Sequence, residues 1–148
     1  MAQSQTEDIG NIAQQIGRAI EEGDKAARAL GVRLREIRPG YARMELTVHA
    51  GMLNAAGTCQ GGVLFTLADT AFACACNSHN ELTVAAGCSI EFLLPARVGD
   101  VLAAEASEQA LIKRSGVYDV TIKKQDGTLI AVFRGKSHRI GGRFVDPA

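Results

Sequence analysis

From Val63 to Cys76 the chain runs Val-Leu-Phe-Thr-Leu-Ala-Asp-Thr-Ala-Phe-Ala-Cys-Ala-Cys, which puts apolar residues on every side of a helix. The run is too long for an ordinary strand, and its alanines and leucines favour helix. A helix with no water-facing side has to be enclosed. Whatever else this chain builds must therefore wrap around that segment. Gly61-Gly62 opens it and Asn77 to Asn80 ends it. A length of 148 residues supplies one ordinary core rather than two, so residues 1–148 read as a single domain.

The flanking sequence supplies the wrapping. Ile9, Ile12, Ala13, Ile16, Ala19 and Ile20 recur at intervals of three and four, which predicts an N-terminal helix with one apolar face. Glu7 and Asp8 fall in its expected first turn, where the helix dipole favours negative charge. Gly23 breaks it, Lys25 to Leu30 adds a short turn, and residues 1–30 form the helical segment. From Gly31 the period changes to two. Val32, Leu34 and Ile37 begin one strand, Pro39-Gly40 makes a turn, and Ala42, Met44, Leu46 and Val48 alternate with polar neighbours in a second. Beyond the central helix, Thr83–Leu94, Val101–Ile112, Gly116–Lys124 and Thr128–Arg139 read as four more strands, with Gln125-Asp126-Gly127 as a hairpin turn. Residues 141–148 look like a loose tail. One curved antiparallel sheet around one apolar helix satisfies this order. That is the α+β arrangement called the hotdog fold.

Composition narrows the function classes. Sixteen basic and sixteen acidic residues cancel, so no cationic face for wrapping nucleic acid is implied. No apolar run approaches the roughly 20 residues of a membrane-spanning helix. The N-terminus has no basic start followed by an apolar stretch, which points to the cytoplasm. Cys59, Cys74, Cys76 and Cys88 form no C-x-x-C pair, and His49, His79 and His138 are scattered. The cysteines read as small buried side chains, and no metal is expected.

Asp69 does not fit the apolar segment around it. An unpaired carboxylate in a dry core costs on the order of several kcal/mol. Either Asp69 is tied to donors such as Thr66 or Thr70, or lies at a polar subunit contact, or it faces a pocket as base or nucleophile. Gly61-Gly62 bears on the choice. The first turn of a helix exposes unpaired backbone N–H groups, and glycine lets a ligand approach them. That suits a carbonyl oxygen becoming an oxyanion during acyl transfer, although the same glycines also serve a tight loop-to-helix turn. Gly61 and Asp69 are eight residues apart, roughly 12 Å along a helix. Attacking group and oxyanion donor must both lie within about 3 Å of the reacting centre. One copy of the helix cannot do both jobs on one substrate. Two antiparallel copies can, so an enzyme built this way is a dimer with shared sites.

The stretch Asn54-Ala55-Ala56-Gly57-Thr58-Cys59-Gln60-Gly61-Gly62-Val63-Leu64-Phe65-Thr66-Leu67-Ala68-Asp69-Thr70-Ala71 resembles the signature of the PaaI-type phenylacetate-degradation thioesterases, hotdog enzymes of the acyl-CoA thioesterase superfamily. The likeness continues through Asn77-Ser78, Gly116-Val117-Tyr118-Asp119 and Phe133 to Gly142. It implies hydrolysis of phenylacetyl-CoA and its ring-hydroxylated forms, with no cofactor beyond the coenzyme A of the substrate. It implies Asp69 as nucleophile or general base, Gly61 N–H polarising the thioester carbonyl, and Asn54 binding the thioester region. It also implies a homodimer, paired again into a homotetramer. The family usually has His-Gly-Gly where this chain has Gln60-Gly61-Gly62. An amide cannot shuttle a proton near neutral pH, so Gln60 holds structure or ligand, or activity is reduced. Leu64, Phe65 and Phe72 are acyl-pocket candidates that could equally be core. Arg114, Lys136, Arg139 and Arg143 are candidates for the CoA phosphates that could equally be solvated charges.

Two other classes fit the fold. A hotdog module that binds acyl-CoA without cleaving it would explain Gln60 but gives Asp69 no purpose. A hotdog dehydratase or hydratase needs an acid–base pair, usually with histidine, and none of the three histidines lies in a suitable motif.

Overall fold

The computed structural model describes residues 1–146. In chain order it contains α1 (Ala2–Gly23), α2 (Lys25–Leu30), β1 (Arg33–Arg38), β2 (Tyr41–Thr47), a 3-10 turn (Ala50–Met52), α3 (Gly61–Asn77), β3 (Thr83–Phe92), β4 (Val101–Ile112), β5 (Ser115–Lys124) and β6 (Leu129–Arg139). The six strands form one antiparallel sheet in the order β1-β2-β4-β5-β6-β3. This is the hotdog fold. Helix α3 packs against all six strands. Ala42, Met44 and Leu46 of β2, Leu102, Ala104 and Ala106 of β4, and Tyr118, Val120 and Ile122 of β5 are all buried. They alternate with more exposed residues, as expected of strands with only one face covered. Among the described residues, no helix is long and apolar enough to cross a membrane.

The enclosure of α3 has one gap. Leu64, Leu67, Ala68, Ala71, Phe72, Ala75 and Cys76 are buried, but Gly62, Thr66, Asp69 and Ala73 form a more accessible stripe along the helix. The sheet, α1 and α2 cover most of the remaining surface, with Val63 and Phe65 partly buried. On the covered side Phe72 meets Tyr118 and Phe133, with ring centroids 5.5 and 6.0 Å away. A Cβ on Gly135 would lie 2.8 Å from the Phe72 ring, so glycine is the residue that lets β6 come this close.

Several local expectations shift. Helix α1 starts at Ala2, so Glu7 and Asp8 lie past its first turn and do not complement the dipole there. Its buried residues are Ala13, Ile16, Gly17 and Ile20, whereas Ile9 is half exposed. The alternation in β1 is broken by a bulge between Leu34 and Glu36, which absorbs the change of parity between Leu34 and Ile37. Residues beyond Gly141 are not simply loose. Asn80, at φ 59°, accepts from the N–H groups of Phe144 and Val145 at 3.1 and 3.0 Å and donates to the Val145 carbonyl at 2.9 Å. A polar side chain distant in sequence thus holds part of the tail; residues 147–148 lie outside the described residues.

At the C-terminal end of α3, Glu108 accepts hydrogen bonds from His79 at 2.7 Å and from the buried Tyr118 hydroxyl at 2.8 Å. Burial alone would raise the Glu108 carboxyl. Those two bonds, with Arg139 nearby, outweigh it and hold the carboxyl below its ordinary value of 4.5. A lowered carboxyl stabilises the fold above that value and loses its contribution as pH falls through the folded one. Glu108→Gln is therefore expected to lower stability at pH 7, and urea titrations should show the gap to the parent narrowing below about pH 4.5. Phe72→Ala, which empties a site 1% exposed, is expected to cost about 3–5 kcal/mol in the same assay.

Candidate active site

The N-terminus of α3 is shaped by an extended residue, Gln60. Its N–H bonds the Met52 carbonyl at 2.8 Å, and its own carbonyl accepts from Val63 and Leu64 at 3.0 and 3.3 Å. The N–H groups of Gly61 and Gly62 find no acceptor among the described residues. They stand at the positive end of the helix dipole. The Gln60 side chain makes no capping bond, and its Oε1 sits beside Gly62, 3.3 Å from where a Cβ would be.

Gly61 opens onto a cavity of about 380 Å³ lined by Asn54, Thr58, Cys59, Gly61, Leu64 and the segment Phe92 to Ala96. Two loops are stitched together around it. Cys59 N–H bonds the Ala96 carbonyl at 2.8 Å, while Leu93 and Leu94 both donate to the Ile130 carbonyl at 2.8 and 3.2 Å. Asn54 braces its own loop: its Oδ1 accepts from the N–H groups of Ala56 and Thr58 at 3.0 and 3.1 Å, and its Nδ2 donates to the Thr58 hydroxyl at 3.0 Å. A Cβ on Gly61 would meet the Phe92 ring at 2.8 Å.

Asp69 lies two turns further along α3, on the accessible stripe, and does not line this cavity. The Thr66 hydroxyl donates to the Gly62 carbonyl at 2.9 Å and the Thr70 hydroxyl to the Thr66 carbonyl at 2.7 Å. Neither holds the Asp69 carboxylate, which makes no hydrogen bond among the described residues. Burial first, and the negative charge of Asp24 second, raise its carboxyl above the ordinary range.

The other sequence candidates scatter. Leu64 is buried beneath the cavity. Phe65 packs edge-on against Phe133, with centroids 5.3 Å apart, and is not part of the Gly61 cavity lining. Phe72 is core, 1% exposed, because Tyr118, Phe133 and Gly135 close around it. Lys136, on the sheet's outer face, lines a separate depression of about 280 Å³ with Gly87, Cys88, Ser89 and Arg134. Arg114 is exposed in the β4–β5 turn, next to Arg139 and at the sheet end where β3 begins, whereas Gly61 meets the end of β3. Arg139 pairs with Glu81 at 3.0 Å. Sequence reasoning missed the wall made by Phe92, Leu93, Leu94 and Pro95. An aromatic and two leucines directly before a proline were the available signal, because a strand stops there and its last side chains need not face the core.

Residues 56–131 match the family model of the thioesterase superfamily. The acyl-coenzyme A thioesterase PaaI of Escherichia coli K12 is 47% identical over 136 residues, covering 92% of this chain and 97% of that protein. The solved E. coli PaaI structure, from the phenylacetic acid degradation operon, superposes with a TM-score of 0.89 over 91% of this chain and 98% of its own. A mutant of the phenylacetic acid degradation protein PaaI from Thermus thermophilus is 35% identical, covering 78% of this chain and 98% of that one, with a TM-score of 0.75. A hypothetical thioesterase protein of Streptococcus pneumoniae, solved with coenzyme A, is 26% identical, covering 76% and 88% of the respective chains, with a TM-score of 0.73. The family match and the relatives together show that the chain belongs to the thioesterase superfamily. Within that superfamily it is a PaaI-type thioesterase.

A raised carboxyl means the folded state holds the Asp69 proton more firmly than the unfolded chain does. Stability is then favoured at low pH and lost as pH rises through the folded value. Asp69→Asn, which cannot ionise, is expected to raise Tm at pH 7. The gain should shrink as melts are repeated at pH values descending through the ordinary carboxylate range.

Proposed function

We propose that this thioesterase hydrolyses acyl-CoA, above all phenylacetyl-CoA and ring-hydroxylated phenylacetyl-CoA, at sites shared between two protomers. One observation carries the reading. The cavity with the free Gly61 N–H contains no carboxylate, while the half-buried carboxylate of α3 stands unbonded on the accessible stripe. A second α3 running antiparallel, stripe to stripe, supplies each cavity with the Asp69 it lacks. Strand β3 supports such pairing. It is one of the two edges of the sheet, with Val84 44% exposed and Glu91 as its sole charge, and an uncovered apolar edge invites a second strand. The substrate class follows the relatives named for acyl-coenzyme A hydrolysis and phenylacetic acid degradation.

In the reaction, the Gly61 N–H donates to the thioester carbonyl oxygen and carries the charge that gathers there. Asn54, at the cavity wall, holds the thioester region. Asp69 of the other protomer either takes a proton from a water that attacks the carbonyl carbon, or attacks it directly to form an anhydride that water then opens. In both routes the C–S bond breaks, coenzyme A leaves as thiolate and collects a proton, and water supplies the oxygen of the free acid. A carboxyl raised by burial is a better base than an ordinary one. Gln60 donates hydrogen bonds here without moving protons. Neither Lys136 nor Arg114 lines the Gly61 cavity of its own chain, so in this reading they serve the CoA phosphates only from a neighbouring protomer, and dimers pair again into a tetramer.

Asp69→Ala is expected to fold and to lose about 10²- to 10⁴-fold in turnover, followed by thiol release from phenylacetyl-CoA. Near-parental hydrolysis by that variant would refute the assignment. The shared site has its own measurement. Mixing inactive Asp69→Ala and Asn54→Ala subunits should restore one of the two sites in each mixed dimer, and no recovery would place the site within one chain. A binding module would release no thiol from any variant, the parent included.

A further inference from the structure

Three half-exposed apolar side chains, Phe92, Leu93 and Leu94, stand together at the mouth of the Gly61 cavity at 54%, 50% and 51% exposure. Clustered exposed apolar surface marks a binding face more often than an accident of packing. The Phe92 backbone is pinned: it pairs with Ala131 of β6, and the next two N–H groups share the Ile130 carbonyl. The ring projects from that fixed backbone. It occupies the space beside Gly61 that any larger residue's Cβ would need, at 2.8 Å from the Cζ atom. The residue that offers its N–H to a carbonyl is thus the residue against which the ring lies.

Consider an acyl group anchored by its carbonyl oxygen at that N–H. Its next atoms must run beside Phe92. The pantetheine arm of coenzyme A carries two amides that need partners; the polar side chains of the lining are Asn54 and Thr58, whereas the wall of Leu64, Leu93, Leu94 and Pro95 offers none from its side chains. The apolar wall suits the acyl half. In an arylacetyl group one methylene separates carbonyl from ring, so the ring arrives next to Phe92, where offset or edge-to-face contact is favourable.

We propose that Phe92 determines acyl selectivity: its ring, laid against Gly61, forms an aromatic wall that favours flat aryl acyl groups over flexible alkyl chains. The proposal rests on reading this cavity as the thioester site. The test compares kcat and KM for phenylacetyl-CoA and hexanoyl-CoA in the parent, Phe92→Leu and Phe92→Tyr proteins. Phe92→Leu is expected to lower the aryl-to-alkyl ratio of kcat/KM by about 2- to 12-fold, chiefly through KM for the aryl substrate. Phe92→Tyr, which keeps the ring, is expected to preserve the parental ratio. Thermal melting checks that each variant is folded, and Phe92→Met substitutes for the leucine variant if that one is not. An unchanged ratio in the ring-less variant, or an equal loss on both substrates, would overturn the proposal while leaving the thioesterase reading intact. A parent protein that hydrolyses neither thioester would instead sink the reading of the site, and this inference with it.

Discussion

The packing of α3 against the inner face of the sheet fixes where every functional group can stand, because an apolar helix has few ways to leave water. Six strands close around it from one side to the other and bury Leu67, Ala68, Ala71, Phe72 and Ala75. What remains is a single stripe and two ends. The N-terminal end presents the Gly61 and Gly62 N–H groups, unpaired among the described residues, the stripe presents Asp69, and the C-terminal end is taken up by the bonds among His79, Glu108 and Tyr118. Chemistry can occur only where the wrapping is incomplete.

That same wrapping sets the electrostatics. Desolvation raises the Asp69 carboxyl because nothing nearby compensates its charge, and Asp24 adds repulsion. At Glu108 burial acts in the same direction, yet donors from His79 and Tyr118 reverse the outcome. Two carboxylates in one small fold thus end on opposite sides of their ordinary range. The difference lies in hydrogen-bond donors: Glu108 has two, and the Asp69 side chain has none among the described residues.

Much of the fold was legible in the sequence itself. Helix and strand periods are local properties, so the apolar run after Gly61, the alternation from Tyr41 to Thr47 and the hairpin at Asp126-Gly127 could be read directly. Local patterns fail where a distant partner decides. The bulge at Leu34–Glu36, the tail held by Asn80 and the start of α1 at Ala2 each depend on neighbours far away in the chain or on none at all. Among the site candidates, Gly61, Asn54 and Leu64 do converge on one cavity, whereas Phe72 is sealed into the core and Phe65 is engaged by Phe133.

The sequence alone determined that an enclosed helix must carry one carboxylate, and that this carboxylate and the helix start are too far apart to serve one substrate within a chain. Both follow from residue type and helical rise, which need no tertiary information. Only the tertiary structure decided which aromatic faces the cavity and which fills the core. Phe65, Phe72 and Phe92 are chemically identical, and their fates are separated by which strand β6 and Gly135 bring against them and by where β3 ends.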